Sequence, residues 1–167
     1  MTTKNQTLEI LKQALLLESR GRAFYRKVAE NAESEPVKEF FQLMADEEEK
    51  HVAMLRERFN EYHEKNCFGA CSYEMTGEHG HEAVITDDLK GKIAAAGFEA
   101  AAVSAAMAFE ERAIKLYAGR AASAQDPQEK KLYEWLADWE RGHLKLLADI
   151  DRDISEQIWN DNQFAPF

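Results

Sequence analysis

Two Glu-x-x-His motifs, Glu48-x-x-His51 and Glu140-x-x-His143, lie 92 positions apart in the chain. A spacing of three residues places the glutamate and the histidine of each motif one helical turn apart on the same helix face. Carboxylate and imidazole groups that converge in this way are ligands for divalent metal ions. Their mixed oxygen and nitrogen donors suit iron or manganese better than a metal that prefers thiolate.

One further glutamate precedes each motif by 30 positions, and these two residues, Glu18 and Glu110, are again 92 positions apart. In four-helix bundles, a dinuclear carboxylate site takes one glutamate from each of two helices and a Glu-x-x-His pair from each of the other two. We therefore predict two metal ions in the core, with Glu48 and Glu140 as bridging ligands. The predicted ligands are Glu18, Glu48 and His51 for one ion and Glu110, Glu140 and His143 for the other. Four carboxylates neutralise two divalent ions, which makes their burial tolerable.

The alternative interpretation is that both histidines are ordinary core residues and that the glutamates are solvated. It requires four glutamates to repeat their spacing by accident on helix faces that are otherwise apolar, where an unpaired carboxylate is costly. A third copy of the motif, Glu78-x-x-His81, is flanked by Gly77 and interrupted by Gly80. It falls in a predicted connection and is excluded from the site.

Four predicted helices must position these residues. The first covers about 7–32, and Ser34-Glu35-Pro36 ends it and starts the second, which continues to about Lys65. The third is predicted from Asp87 to Ser123, and the fourth runs from Asp126-Pro127 to about Trp159. The two short connections require antiparallel hairpins, and the longer stretch between the second and third helices forms a crossover. The predicted fold is therefore all-α, a ferritin-like four-helix bundle made of two helical hairpins joined by a long crossover, in one domain over residues 1–167.

The two hairpins are predicted to be copies of one another. Residues 14–18 align with 106–110, and Tyr25 aligns with Tyr117, at the same offset of 92. This duplication predicts a pseudo-twofold axis about which the two metals are disposed. Each tyrosine follows the glutamate of its own helix by two turns, so the tyrosines either donate hydrogen bonds to ligand carboxylates or simply fill the core.

The composition excludes several classes of function. A net charge of −10 argues against nucleic acid and anionic membrane surfaces as partners. No apolar run is long enough to span a bilayer, and from the polar first residues we expect no secretory leader. Cys67 and Cys71 do not make a disulfide framework, so we expect a cytoplasmic protein. These cysteines and the nearby histidines either form a second, thiolate-type metal site or leave free thiols.

The order of the motifs, together with the stretches LLLESRGRAFY and MADEEEKHVAML, resembles the rubrerythrin branch of the ferritin-like superfamily over nearly the whole chain. The resemblance implies a non-haem di-iron bundle, commonly dimeric, that reacts with dioxygen or hydrogen peroxide while iron cycles between the ferrous and ferric states. We accordingly expect two iron ions, with manganese or a mixed pair as alternatives, no haem, and a homodimer.

Some departures from the family pattern bear on the reaction. Full-length rubrerythrins carry a rubredoxin-like domain with paired CxxC motifs, and this chain has none, so a peroxidase would need an external electron donor. Rubrerythrin proper has an additional glutamate where this chain has Ala113, and a glutamate where it has His143. The symmetric ligand set is more similar to the ferroxidase centre of bacterioferritins, although Glu49 stands at the place of their haem-binding methionine. The expected function is a di-iron oxidoreductase of the ferroxidase or peroxidase type, and the alternative is a non-catalytic iron-binding or iron-delivery protein.

Overall fold

The computed structural model describes residues 3–70, 86–95 and 97–161. In these ranges the chain forms five helices: α1 (Thr3–Asn31), α2 (Glu35–Lys65), α3 (Asp87–Ala95), α4 (Gly97–Ser123) and α5 (Pro127–Asp161). Helix α1 packs along α2, and α4 packs along α5, which gives the two predicted hairpins. Helix α1 also contacts α4, while α3 contacts α2, α4 and α5. The predicted all-α, ferritin-like bundle is confirmed.

The single third helix predicted from the sequence is wrong, because two helices cover that stretch. Helix α3 ends at Ala95 and α4 begins at Gly97, and their axes differ by 102°. Glycine costs about 1 kcal/mol relative to alanine inside a helix, so Gly97 makes a break inexpensive here. The bend lets Leu89 and Ile93, which are at most 1% exposed, pack into the core beside residues of α2 and α5.

Apolar side chains form two clusters along the bundle. One lies towards the α1–α2 turn and includes Phe41 and Leu147, and the other lies towards the α4–α5 turn and includes Leu11 and Leu132. Between the clusters the bundle buries a layer of titratable side chains, each at most 3% exposed: Glu18, Glu48, His51, Glu110, Glu140 and His143. Charged groups at this depth are tolerated only when they are paired or bind a metal ion.

No single helix among residues 3–70, 86–95 and 97–161 is long and apolar enough to cross a membrane. The bent pair formed by residues 87–93 and 97–123 meets the criteria of length and composition only when both helices are counted together.

The second helices of the two hairpins, α2 and α5, begin differently, although a capping residue and a proline mark the start of each in the sequence. Asp126 precedes α5, which begins at Pro127, and its Oδ1 accepts hydrogen bonds from the backbone N–H of Gln128 at 2.7 Å and of Glu129 at 3.4 Å. Ser34 precedes α2, but its side chain makes no capping hydrogen bond. Its hydroxyl is buried and has no partner among the described residues.

This difference predicts unequal effects of two cap substitutions. Asp126→Ala should lower the free energy of unfolding by about 1 kcal/mol, because two backbone N–H groups lose their acceptor. Ser34→Ala should cause no comparable loss, since its hydroxyl makes no bond that could be lost. Chemical denaturation followed by circular dichroism measures both values. Equal losses in the two variants would contradict this account of the caps.

Candidate metal centre

The six predicted ligands meet in the middle of the bundle. Helices α1 and α4 each supply one glutamate, and α2 and α5 each supply a Glu-x-x-His pair. Because the spacing of three residues matches one helical turn, both members of each pair project to the same side of their helix. Four helices therefore direct six ligand side chains to one buried region.

The ligand atoms form two groups, and within each group all atoms lie within 4.8 Å of one another. One group consists of Glu18, Glu48, His51 and Glu140, and the other of Glu48, Glu110, Glu140 and His143. Glu48 and Glu140 belong to both groups. This is the position that the prediction gave to the bridging ligands.

The two shared carboxylates each direct one oxygen to each histidine. Glu48 Oε2 lies 3.8 Å from His51 Nδ1, and Glu48 Oε1 lies 3.5 Å from His143 Nδ1. Glu140 Oε1 lies 3.1 Å from His51 Nδ1, and Glu140 Oε2 lies 3.1 Å from His143 Nδ1. Both imidazoles therefore turn Nδ1 to the centre, with two carboxylates between them.

Two buried tyrosines connect the hairpins at the site. The Tyr25 hydroxyl donates a hydrogen bond to Glu110 Oε1, and the Tyr117 hydroxyl donates one to Glu18 Oε1. Burial and the neighbouring carboxylates raise the pKa of both phenols well above the usual value, so both stay protonated and remain donors. The sequence left open whether the tyrosines only fill the core, and the structure places each against a carboxylate of the opposite hairpin. Such a bond fixes the orientation of the carboxylate that accepts it.

The carboxylates differ in how firmly they hold a proton. Burial, with the nearby charge of Glu48, raises the pKa of Glu18 to about 8. Burial, with the charge of Glu140, raises the pKa of Glu110 well above its ordinary value. Burial would also raise the pKa of Glu48 and Glu140, but the hydrogen bonds that they accept, and for Glu140 also the charge of His51, hold it below the ordinary value.

The histidines complete the charge balance. Burial alone would lower the pKa of His51 and His143, but Glu140 and the other carboxylates raise both well above the usual value. At neutral pH, two imidazolium groups then balance two ionised carboxylates. Two divalent ions would displace the extra protons and again leave a neutral core, because four carboxylates balance their charge. The donor set therefore fits a pair of divalent cations.

A cavity of about 10 Å³ lies between α1 and α4 and touches the four carboxylates. Its other walls are formed by Leu17, Gly21, Phe109 and Ala113. A cavity of this size holds about one water-sized molecule. The small side chain of Ala113 forms part of the cavity wall. From the family resemblance, we expect rubrerythrin proper to have a glutamate at this position.

Glu47 was not predicted from the sequence to lie at the site, but its side chain is buried there, 6% exposed. Its Oε2 lies 3.2 Å from His143 Nε2 and 3.0 Å from Trp139 Nε1. The duplication held a signal that would have drawn attention to it. Residues 46–48 align with 138–140, and position 47 is where the two halves differ, as glutamate in one and tryptophan in the other.

For the crossover, the sequence left open either a thiolate-type metal site or free thiols. Cys67 is exposed and is a free cysteine. Cys71, His79 and His81 lie outside the described residues, as does the excluded motif copy that begins at Glu78.

A sequence model of the rubrerythrin family matches residues 9–151 of the chain. This range includes all six clustered side chains and both tyrosines that donate to them. No curated protein and no solved structure matched the chain significantly.

The protonation pattern predicts that metal binding releases protons. Glu18, Glu110 and both imidazoles have a raised pKa, so at pH 7 binding should release about two protons per divalent ion. The apparent affinity should therefore increase with pH, and the increase should become less steep above about pH 8, where Glu18 has lost its proton. Calorimetric titration with Mn²⁺ in buffers of different ionisation enthalpy measures the release. A release near zero at pH 7 would contradict the protonation pattern.

The same shifts predict how the stability of the metal-free protein depends on pH. A group whose pKa is raised by folding contributes stability below its unfolded-state pKa, roughly 4.3 for glutamate and 6.5 for histidine, and this contribution is lost as the pH rises through the folded-state value. The melting temperature of the metal-free protein should therefore fall between about pH 4.3 and pH 8, the interval between the unfolded-state and folded-state pKa of Glu18. The metal-bound protein, in which these protons are already displaced, should show a smaller fall over the same interval.

Proposed function

The chain belongs to the rubrerythrin family, and from this membership and the geometry of the cluster we propose a di-iron protein that reacts with dioxygen or hydrogen peroxide. The proposed activity is of the ferroxidase or peroxidase type. The observation that carries the proposal is the overlap of two ligand groups in Glu48 and Glu140. A site for one ion does not require two histidines that both turn Nδ1 to the same pair of carboxylates.

The chemistry of the donors supports iron as the resident metal. Four carboxylates and two imidazoles form the cluster, and among the described residues no cysteine joins it. Oxygen and nitrogen donors of this kind suit iron and manganese. We propose two iron ions and no haem, with a manganese pair or a mixed pair as the alternatives.

The protein side chains would hold the two metal positions apart and orient their carboxylate ligands. When bound, two ferrous ions would supply the two electrons that reduce hydrogen peroxide to water. Glu48 and Glu140 hold one oxygen towards each half of the site and so set the separation of the two positions. Tyr25 and Tyr117 hold Glu110 and Glu18 in orientation by hydrogen bonds across the bundle.

The apolar surroundings of the cluster would shield the reaction from bulk water. Apolar clusters on both sides keep bulk water away from the six side chains, which strengthens every electrostatic interaction among them. The cavity beside Ala113 gives a molecule as small as dioxygen or peroxide a place next to the carboxylates. We propose this cavity as the position from which the oxidant reaches the metal pair.

The proposal extends to the organisation of the protein. Residues 1–167 would form one domain, and two chains would form a homodimer in the cytoplasm. If the reaction is that of a peroxidase, an external electron donor would return the iron to the ferrous state.

Rapid mixing of the ferrous protein with dioxygen and, separately, with hydrogen peroxide tests the reaction. We expect ferric absorption in the near ultraviolet to rise with at least one of the oxidants. Iron that stays bound and ferrous with both would favour the non-catalytic alternative, an iron-binding or iron-delivery protein. Glu48→Ala combined with Glu140→Ala should abolish stoichiometric iron binding, because both positions lose their shared ligands.

The matched control replaces two glutamates of the same helices that are exposed to solvent. Glu39 lies on α2 and Glu134 lies on α5, and neither belongs to the cluster. Glu39→Ala combined with Glu134→Ala should bind two iron ions per chain as the wild type does. Two ions per chain in the Glu48 and Glu140 variant would refute the assignment of the site.

Filling the cavity should slow the oxidant without removing the metal. Ala113→Leu places three more carbon atoms in a space of about 10 Å³, and overpacking of this kind costs about 1–3 kcal/mol of stability. We expect slower ferric absorption after mixing and an unchanged number of iron ions per chain. Unchanged rates with both oxidants would show that they reach the site by another route.

A further inference from the structure

The two halves of the site have the same predicted ligands but differ in the residues that contact their histidines. The offset of 92 residues relates His51 to His143 and Glu47 to Trp139. Glu47 and Trp139 each lie against the histidine of the other hairpin, at a 3.2 Å hydrogen-bond distance and a 5.5 Å ring-centroid distance respectively. The duplicated position therefore places a carboxylate behind His143 and an indole behind His51. The same indole also lies near His143, with its Nε1 atom 3.2 Å from His143 Nε2.

Behind His143 there is an anionic acceptor. The Nδ1 atom of His143 faces the ligand carboxylates, so a metal-bound His143 carries its proton on Nε2. This Nε2 lies 3.2 Å from Glu47 Oε2, to which it donates. Trp139 Nε1 lies 3.0 Å from the same oxygen and 3.2 Å from His143 Nε2. Because a protonated Nε2 cannot accept a hydrogen bond, the indole N–H donates to Glu47 when His143 binds a metal ion. Two N–H groups that converge on one carboxylate oxygen hold both Glu47 and the imidazole in place.

Behind His51 there are two aromatic rings. Trp135 and Trp139 meet the imidazole edge to face, with ring centroids 5.8 Å and 5.5 Å away. His51 also turns Nδ1 to the ligand carboxylates, so a metal-bound His51 likewise carries its proton on Nε2. That Nε2 is buried and makes no hydrogen bond to any described residue.

A carboxylate that accepts the outer N–H of a ligand histidine fixes the ring and increases the electron density at the metal-binding nitrogen. A buried N–H without an acceptor has neither effect and costs free energy. We propose that Glu47 positions His143 so that a divalent metal ion fills the His143 half of the pair first, and binds there more tightly than in the His51 half. The inference rests on the proposed role of the six residues as ligands for two ions.

Titration of the metal-free protein with Co²⁺ alone tests the order of filling. Visible absorption of Co²⁺ and calorimetry should resolve two binding steps whose dissociation constants differ by roughly tenfold or more. Glu47→Gln keeps the shape of the side chain and removes its charge. It should weaken the tighter step by about 10- to 100-fold and leave the weaker step unchanged.

Two further sets of variants assign the steps and control for charge. His143→Gln should remove the tighter step, and His51→Gln should remove the weaker one. Glu47→Gln should then lower affinity in the His51→Gln background and have no effect in the His143→Gln background. Glu49→Gln is the control, since it removes the same charge two residues away, where Glu49 pairs with Arg22 at 2.5 Å, and should change neither step.

Glu47→Asp separates a charge effect from a packing effect. It keeps the carboxylate but shortens the side chain, so a positioning role through charge predicts tighter binding than in Glu47→Gln, and a role in packing alone predicts weaker binding. Two equal steps in the wild type, or equal effects of Glu47→Gln in both histidine backgrounds, would overturn the inference and leave the two-metal proposal intact. Absence of any Co²⁺ binding would overturn both.

Discussion

The burial of four carboxylates in an apolar bundle is the constraint on which the rest of the structure depends. An isolated ionised carboxylate is very costly at this depth, so each one must be protonated, paired or bound to a metal ion. The chain meets this requirement locally, through two imidazoles that turn Nδ1 inward and two phenols that donate across the hairpins. The apolar clusters on both sides strengthen these interactions because they keep water away, and they make the absence of any one partner more costly.

The helices and the ligand positions were accessible from the sequence because both follow from local periodicity. Helix α2 ends at Lys65 and α4 ends at Ser123, as predicted. The break between Ala95 and Gly97 was not predicted, since an alanine-rich stretch favours an uninterrupted helix and only one glycine argues against it. The packing of Leu89 and Ile93 against other helices favours the bend, and a contact of that kind is not encoded in the local pattern.

The run Glu47-Glu48-Glu49 shows which environments helical spacing can predict and which depend on contacts between distant parts of the chain. Spacing from His51 selected Glu48 as the ligand, and the structure places it between both histidines. Glu49 points away from the cluster and pairs with arginines of α1. Glu47 is buried against the opposite hairpin, and its environment is set by Trp139 and His143, which lie more than ninety positions away. Three identical neighbours thus have three different environments, because successive residues on a helix face different directions by about 100°.

Because the six predicted ligands are arranged symmetrically, any difference between the two metal positions depends on the residues that contact these ligands. The family resemblance implies that the two halves of the site differ in their ligands in rubrerythrin proper. There, a glutamate takes the place of Ala113 and another takes the place of His143. Here Ala113 and His143 remove both differences, so each half holds the same types of predicted ligand. Any inequivalence between the two positions must then arise from residues that contact the ligands. Glu47 and Trp139 are related by the duplication, differ in charge and lie against the two histidines, and Trp135 places a second ring against His51. The two halves therefore differ in the residues that surround their histidines.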